Sequence, residues 1–377
     1  MLEVQNKIEK LIAELCPNGV KFFDIDILLE DKVVKTCIPP KKLTKKYYKT
    51  TGEFPIIDQG QDFIVGYTDD NAAVIVKDSY VIFGDHTEAI KYIDFSFAQG
   101  ADGIKILKTN QSVLDIKYFY YALNNFYLKT GKYTRHFSFL KKIKIPIPPL
   151  AIQKEIVKIL NSFTELEAEL EAELEARKRQ YEYYRDKLLN SDDLEFTTLD
   201  KISLNLDSKR KPVTRGVRTK GEIPYYGASG IVDYVEDYIF DGDYLLVSED
   251  GANLLARSTP IAFSVSGKSW INNHAHVLEF ETYEERRFIE FYLNSIDLTP
   301  YISGAAQPKL NQANLNKIPI PKYSLEEQKR IVSILDKFDA LVNDISIGLP
   351  AELKARRSQY EYYRGKLLTF KPLSGRI

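Results

Sequence analysis

A chain of 377 residues, 44% hydrophobic and 28% charged, is too long for one ordinary domain and suits two or three. Its 52 basic and 53 acidic residues leave a net charge of −1, which argues against a uniformly basic nucleic-acid binder and confines any DNA-binding face to a local patch. No apolar run approaches the ~18 residues of a membrane span; the opening Met1-Leu-Glu-Val-Gln-Asn-Lys7 lacks a signal-peptide pattern, and two cysteines, Cys16 and Cys37, are too few for a disulfide framework, so a reducing cytoplasm is the expected setting.

The opening segment, 1–19, holds a helix expected near Lys7–Leu15. Residues 20–149 mix β-branched and aromatic runs with Gly, Asn and Asp turns. Val74-Ile-Val76, Tyr80-Val-Ile-Phe83 and Ile104-Lys-Ile-Leu107 read as strands, and Lys117–Phe126 as a short helix. Pro146, Pro148 and Pro149 end this α+β region. Over 150–190, Ile156, Leu160, Phe163, Leu166, Leu170 and Leu174 recur every three or four residues, and Tyr181, Tyr184 and Leu188 extend the stripe; one long amphipathic helix is expected. Residues 195–323 are again α+β, with strands at Tyr244–Val247, Ile261–Phe263 and His276–Phe280 and a helix at Glu284–Asn294. The helical region 324–370 carries the matching stripe Ile331, Leu335, Phe338, Leu341 and Ile345, then Leu353, Tyr360, Tyr363 and Leu367, interrupted by Gly348-Leu-Pro350, which should break the helix. A single apolar seam on each helix calls for a partner, and the other copy supplies one.

The two halves are copies. Leu140–Phe163 aligns without gaps to Leu315–Phe338, sharing Ile143/Ile318, Ile145/Ile320, Pro146/Pro321, Gln153/Gln328, Ile156/Ile331, Leu160/Leu335 and Phe163/Phe338, and Gln-Tyr-Glu-Tyr-Tyr-Arg occurs at Gln180–Arg185 and Gln359–Arg364. Gly52-Glu-Phe-Pro55 corresponds to Gly221-Glu-Ile-Pro224, so the α+β regions are distant copies as well. The chain is a tandem duplication.

Within the first helix Glu-Leu-Glu-Ala occurs three times, Glu165–Ala168, Glu169–Ala172 and Glu173–Ala176. These are good helix formers, yet like charges four apart are mildly destabilising; a cationic neighbour such as Lys354, Arg356 or Arg357 would offset this. The repeat also reads as a spacer, since four residues lengthen a helix by ~6 Å and turn its end by ~40° beyond a full turn, about the rotation of one DNA base pair.

Catalytic and metal motifs are missing. There is no Gly-x-x-x-x-Gly-Lys-[Ser/Thr] loop, His-Glu-x-x-His or paired Cys-x-x-Cys, and no Asn/Asp-Pro-Pro-Tyr/Phe of an adenine methyltransferase. Tyr226-Gly-Ala-Ser-Gly230 lacks the Gly-x-Ser-x-Gly spacing and reads as a strand-ending turn. Of the four histidines, His86, His136, His274 and His276, the last two share a face of a strand-like stretch; without a Cys or carboxylate at ligand spacing, a structural role or polar surface contact outweighs metal binding. No catalytic, cofactor or metal residue is assigned.

Basic loops are the stronger signal. Lys41, Lys42, Lys45, Lys46 and Lys49, interleaved with Tyr47 and Tyr48, precede Gly52; Lys209, Arg210, Lys211, Arg215, Arg218 and Lys220 precede Gly221. Neither run contains an acid. Each alone reads as a solvated loop, but matched positions in two copies point to phosphate or guanine contacts. A second matched pair, Lys129–His136 and Ser303–Lys309, follows the short helix of each copy, with Lys132, Arg135, Gln307 and Lys309 as donors; contact with DNA and an ordinary connecting loop are both open there.

Ile-x-Ile-Pro…Leu-x-x-Gln-x-x-Ile-Val-x-x-Leu from Ile143 and Ile318, the segments Gln180–Leu189 and Gln359–Leu368, and the opening Ile12-Ala-Glu-Leu-Cys-Pro-Asn-Gly-Val20 together resemble the specificity subunit of a type I restriction–modification enzyme, over essentially the whole chain. The resemblance implies two tandem α+β target-recognition domains, each reading half of a split double-stranded DNA target. Each is followed by a long helix, and the helices form an antiparallel coiled coil with pseudo-twofold symmetry. It further implies docking of two modification (methyltransferase) subunits that hold S-adenosylmethionine, with restriction/motor subunits joining through the complex, no cofactor in this chain and no membrane. Tetrapeptide repeats in the central helix tune the gap in that family, and Glu-Leu-Glu-Ala stands at that place. Two alternatives are a single-chain methyltransferase or nuclease fragment, which needs a metal or S-adenosylmethionine site, and a coiled-coil adaptor whose domains bind proteins.

Overall fold

In a computed structural model describing residues 2–100, 102–190, 194–304 and 307–373, with side chains from residue 7 onward, both α+β regions open and close on one kind of ladder. Phe22–Asp24 pairs antiparallel with Lys144–Pro146, and Phe196–Thr198 with Pro319–Pro321, so the first strand of each domain meets its last. The chain divides into two compact units, Met1–Leu170 with Leu353–Ile377, and Glu171–Glu352. The units cut across the linear boundaries: the C-terminal helix belongs to the first.

In the first unit, one sheet runs in the order Val34–Cys37, Ile104–Thr109, Tyr80–Gly84, Ile90–Ile93, and a second runs Gly66–Thr68, Phe54–Ile57, Phe97–Gln99, Val74–Ile75. Tyr80–Gly84 is buried at all five positions, as suits a central strand with no solvent face. Phe54–Ile57 and Phe97–Gln99 run parallel, Ile56 opposite Ala98. Helix Ile116–Phe126 is capped by Asp115, whose carboxylate accepts from the N–H groups of Lys117 and Tyr118. It buries Ile116, Phe119, Ala122 and Leu123, and the Tyr118 hydroxyl donates to the Pro146 carbonyl over 3.0 Å.

The second unit repeats this plan. Its main sheet is ordered Leu204–Asn205, Ala275–Glu279, Phe240–Ser248, Ala262–Ile271, Lys220–Gly227, Gly230–Val235. Lys220–Gly227 runs parallel to the end of Ala262–Ile271, Tyr225 opposite Trp270. Helix Tyr283–Ser295 is capped by Thr282, and the Tyr292 hydroxyl donates to the Pro319 carbonyl over 2.9 Å, so here too a helix tyrosine bonds to the last strand. One difference is instructive. Ala262–Ile271 is unbroken and joins both sheet halves, whereas the first unit has two short strands, Ile90–Ile93 and Phe97–Gln99, and so two sheets.

The long helix spans Leu150–Leu189, and the second helical region is broken into Leu325–Asn343 and Leu349–Leu368. The break lies before Pro350, which occupies the second position of the new helix, where its missing N–H costs little. Gly348 is required there: a Cβ would meet the carbonyl oxygens of Ala340, Asp344 and Leu341. The seam therefore ends early; Ile345 is 81% exposed and Leu341 37%, against their expected burial.

Each duplicated Phe packs on the tyrosines of the other copy. In the first unit Phe163 stacks on Tyr363 (5.5 Å, 24°) and meets Tyr360; in the second Phe338 stacks on Tyr184 (5.9 Å, 24°) and meets Tyr181. Within each unit the helices run antiparallel, since Phe163 and Glu167 face Tyr363 and Arg357, while Tyr181 and Leu188 face Phe338 and Tyr323. Arg357 reaches Glu167 at 2.6 Å, the cation the acidic repeat called for, and Arg177 and Lys178 pair with Glu173 and Glu175 along the helix itself. The opening helix, Leu2–Leu15, lies in the core of the first unit through Ile8, with Leu367, Leu368 and Phe370, and Val20 bridges to Pro372.

Candidate nucleic-acid interface

In the first unit the loops at the ends of the parallel strands gather in one place. Leu43 N–H donates to Gln99, placing the basic loop over the end of Phe97–Gln99. Gly100 leaves room for the Tyr48 hydroxyl, which a Cβ there would overlap. Asp85 N–H donates to Gly103, His86 N–H to the Gln59 amide oxygen, and His136 N–H to the Asp85 carbonyl. Segments 41–49, 58–62, 84–88, 99–100, 102–103 and 130–136 thus form one continuous surface. Buried Lys91 supports it, its ammonium donating to the carbonyls of Asp58 (3.0 Å) and Asp62 (2.5 Å); burial pushes its pKa down.

The second unit assembles the corresponding loops. Trp270 Nε1 donates to the Lys211 carbonyl (2.6 Å), and the Val213 N–H to the Tyr225 hydroxyl, so this basic loop also lies across the parallel strand pair. Asn272 N–H donates to Tyr226, Glu249 N–H to His274, and Leu310 N–H to Glu249, the counterpart of His136 on Asp85. Ala228 and Ser229 form the turn between Lys220–Gly227 and Gly230–Val235, the role expected of Tyr226–Gly230, and Gly230 takes φ +120°.

The basic loops are acid-free only along the chain. In space Lys41 meets Asp70 (2.6 Å), Lys42 meets Asp102 (2.6 Å) and Lys49 meets Asp69 (2.7 Å). These lysine hydrogen bonds hold the three carboxyls below their usual range. Lys45 and Lys46 lie on a short 3-10 turn, Lys45–Tyr47, with Lys46 over the Tyr47 ring; among the described residues neither has an ion-pair partner.

In the second loop two expected DNA contacts are built into the fold. Arg210, with its side chain 12% exposed, donates to Glu249 (2.7 Å), to the Ala275 carbonyl (2.7 Å) and to the Asp207 carbonyl (3.1 Å). Arg218 lies 4.1 Å from the Tyr225 ring centre, bonded to the Val213 carbonyl and Asp233. Both guanidiniums are occupied because a loop crossing a sheet needs cations under it to satisfy buried carbonyls and carboxylates. Lys209, Lys211, Arg215 and Lys220 form no ion pair among the described residues, and all but the last lie on the loop itself, Lys220 starting the next strand.

Of the late loops, Lys132 and Arg135 are exposed and flank Tyr133, 90% exposed and stacked on His86 (5.3 Å, 20°). Gln307 is exposed, and Lys309 is half-exposed with its ammonium 3.0 Å from Glu249; Ala305 and Ala306 of that loop lie outside the described residues. Sequence reading missed Gln59, His86 and Tyr133, which carry no motif, and the buried role of His136. His274 and His276 do not act together. The first is exposed on Asp250; the second is fully buried, Nδ1 2.6 Å from Asp207 and Nε2 2.7 Å from the Leu310 carbonyl. Asp207, Glu249 and His276 approach within 4.8 Å, a spacing that suits a metal, but Arg210 and Lys309 already place positive charge on the two carboxylates. Burial opposes ionisation of Asp207 and Glu249, yet His276, the Val277 N–H and Arg210 outweigh it at Asp207, Arg210 and Lys309 do so at Glu249, and both stay below the usual carboxylate range.

Two copies of one α+β scaffold, each gathering basic and amide-bearing loops across a parallel strand pair, define a protein with two DNA-recognition modules. Residues 32–176 and 192–355 match the type I restriction modification DNA specificity domain. The specificity subunit of the Escherichia coli type I restriction enzyme EcoR124I/EcoR124II is 33% identical over 395 residues, 92% of this chain and 95% of that one. A Haemophilus influenzae chain named for the same role is 39% identical over 189 residues, but these span only 49% of each chain. The crystal structure of a type I restriction–modification S subunit from M. genitalium superposes with a TM-score of 0.64 at 19% identity, covering 93% of this chain and 97% of that one. The chain belongs to the type I restriction–modification DNA specificity family.

Proposed function

We propose that this chain reads a split double-stranded DNA target, residues 20–149 taking one half and 195–323 the other. The observation that carries this reading is the recurrence of a basic loop over the same parallel strand pair in both units, with different side chains in each. A shared place with unshared chemistry is what two half-sites of different sequence require. Lys45, Lys46, Lys132, Arg135, Lys209, Lys211, Arg215, Lys220, Gln307 and Lys309 then face DNA, while Lys41, Lys42 and Lys49 exchange their carboxylates for phosphates.

The helical regions 150–190 and 324–370, closed on 1–19, act as spacer and dock two modification subunits; the segments they share, such as Gln180–Leu189 and Gln359–Leu368, suit two identical partners. Restriction subunits join through that complex. The chain itself recognises and does not catalyse, with S-adenosylmethionine held by the modification subunits, and it works in a reducing cytoplasm, in keeping with two free cysteines. No helix among the described residues is long and apolar enough to cross a membrane.

The test is adenine-methylation mapping in cells carrying this chain and its modification partner, intact and with Glu169–Ala172 deleted. A split motif is expected, its gap shortened by the deletion with both halves kept. A contiguous motif would overturn the reading; an unchanged gap would overturn the spacer alone.

A further inference from the structure

Beneath each late loop lies a fully buried histidine bound at both ends. His136 is 0% exposed; its Nε2 lies 2.7 Å from the Lys132 carbonyl and its Nδ1 3.1 Å from the Glu88 carboxylate. Nδ1 meets Glu88 at ion-pair distance without hydrogen-bond alignment. Glu88 is the hub of that loop, accepting from the Tyr127 hydroxyl (2.9 Å) and the N–H groups of Thr130 (2.8 Å) and Gly131 (2.9 Å). In the second unit His276 joins the Leu310 carbonyl, where the late loop ends, to Asp207, where the basic loop begins. Asp207 also accepts from the Val277 N–H (2.9 Å) and faces Arg210 (3.2 Å).

The two histidines are not counterparts in the duplication. His136 belongs to the late loop itself, and His276 to strand Ala275–Glu279. The shared device, a buried ring between a carboxylate and a late-loop carbonyl, has been reached from two different positions. In both cases each ring nitrogen faces an oxygen, one of a carboxylate and one of a backbone carbonyl. A core needing only volume would take an apolar residue here, without the cost of burying a carboxylate. Glu88 illustrates this: burial opposes its ionisation, but the two backbone donors, Tyr127 and His136 outweigh burial and hold the carboxyl below its usual range. In the first unit the ring and carboxylate hold the loop that bears Lys132, Tyr133 and Arg135; in the second they hold Leu310, the anchor that directly follows Gln307 and Lys309.

We infer that His136 and His276 are positioning residues for base recognition, each anchoring the late loop of its own domain where it reads its half-site. The inference rests on the split-target reading above. Neither ring touches DNA; each acts through the loop it holds.

The test uses the full chain with its modification partner and reads the methylation motif half by half. His136→Phe removes the donors while keeping a ring, and is expected to relax discrimination at one or more bases of one half-site by roughly tenfold, the scale of a single mismatch. The other half should remain strict. His276→Phe should relax the opposite half. His136→Gln and His276→Gln, whose amide nitrogen carries two donors, should recover part of the discrimination, and they serve equally where a Phe variant unfolds, as judged by its thermal transition. An unchanged motif in either set, or equal relaxation of both halves, overturns the positioning role. If the unmodified chain itself gives no split motif, the split-target reading fails instead, so the two failures are distinct.

Discussion

The two basic loops occupy one place in a duplicated scaffold and use their cations in opposite ways. In the first unit Lys41, Lys42 and Lys49 pair with Asp70, Asp102 and Asp69 at the surface, with lysine side chains 53%, 54% and 58% exposed. Such pairs open readily, and an incoming phosphate can replace the carboxylate. In the second, Arg210 and Arg218 are 12% and 15% exposed and committed to carbonyls and carboxylates under the loop. A charge run in sequence therefore measures neither free charge nor reach. What separates the two is residue type as much as burial: a guanidinium's five fixed donors can close off several acceptors at once, while a lysine satisfies one or two and swings away.

The largest effect that would break this comparison is on stability. Arg210→Ala leaves Glu249 and Asp207 short of a buried partner and is expected to cost the second unit about 3–5 kcal/mol, the usual penalty for stranding a buried charge. Lys42→Ala should leave the first unit's unfolding unchanged within error. The chain's single tryptophan, Trp270, lies in the second unit and reports on it selectively, so its emission during denaturant unfolding measures the Arg210 variant, while far-ultraviolet circular dichroism, which averages both units, measures the Lys42 variant. Equal behaviour of the two variants would erase the distinction between built-in and exchangeable cations.

Next in size is the salt dependence of DNA binding. Each phosphate contact contributes a slope of roughly 0.9 in log affinity against log salt. Replacing Lys45 and Lys46 together should flatten the slope by about 2, and Arg215→Ala by about 1, if each lies on a phosphate. Arg218→Ala should leave the slope alone and lower the melting temperature, because its cation is spent on Asp233 and the Val213 carbonyl. A slope that falls with Arg218→Ala and not with Arg215→Ala would reverse the assignment.

The duplication, the α+β character of both copies and the helical seam were legible because they rest on periodicity and identity, which sequence records directly. Where the helix stops was less so: Ile345 continues the stripe, yet Asn343 ends the helix and leaves it exposed. The difference between one sheet and two was illegible, since it turns on whether strand pairing persists through Asp94–Ser96. At the interface the loops were found from charge, but their carboxylate partners come from up to 60 residues away and belong to no local pattern. His136 was invisible for the same reason, and His276, though given a structural role from sequence, showed none of its partners. A buried histidine is recognised by what faces its two nitrogens, and both sets of partners are brought together only by the fold.

The smallest effect is acid sensitivity, and it sharpens the comparison from the carboxylate side. Glu88 in the first unit, and Asp207 and Glu249 in the second, are all held below their ordinary range despite burial, by the donors and cations around them. A carboxyl depressed in the folded state binds protons more readily when unfolded. Its contribution is fully present above the ordinary carboxylate range of about 4 and is lost as pH falls through the lower folded value. With two such groups sharing Arg210, the second unit should lose stability more steeply below pH 5 than the first. Trp270 emission should therefore shift at a higher pH than the far-ultraviolet circular dichroism, which averages both units. Asp207→Asn should draw the two curves together, since it removes one acid-labile group and leaves an amide that can still accept from Val277. Coincident curves in the unmodified chain would show that the second unit's buried ion pairs are no more costly to protonate than the single Glu88 hub of the first.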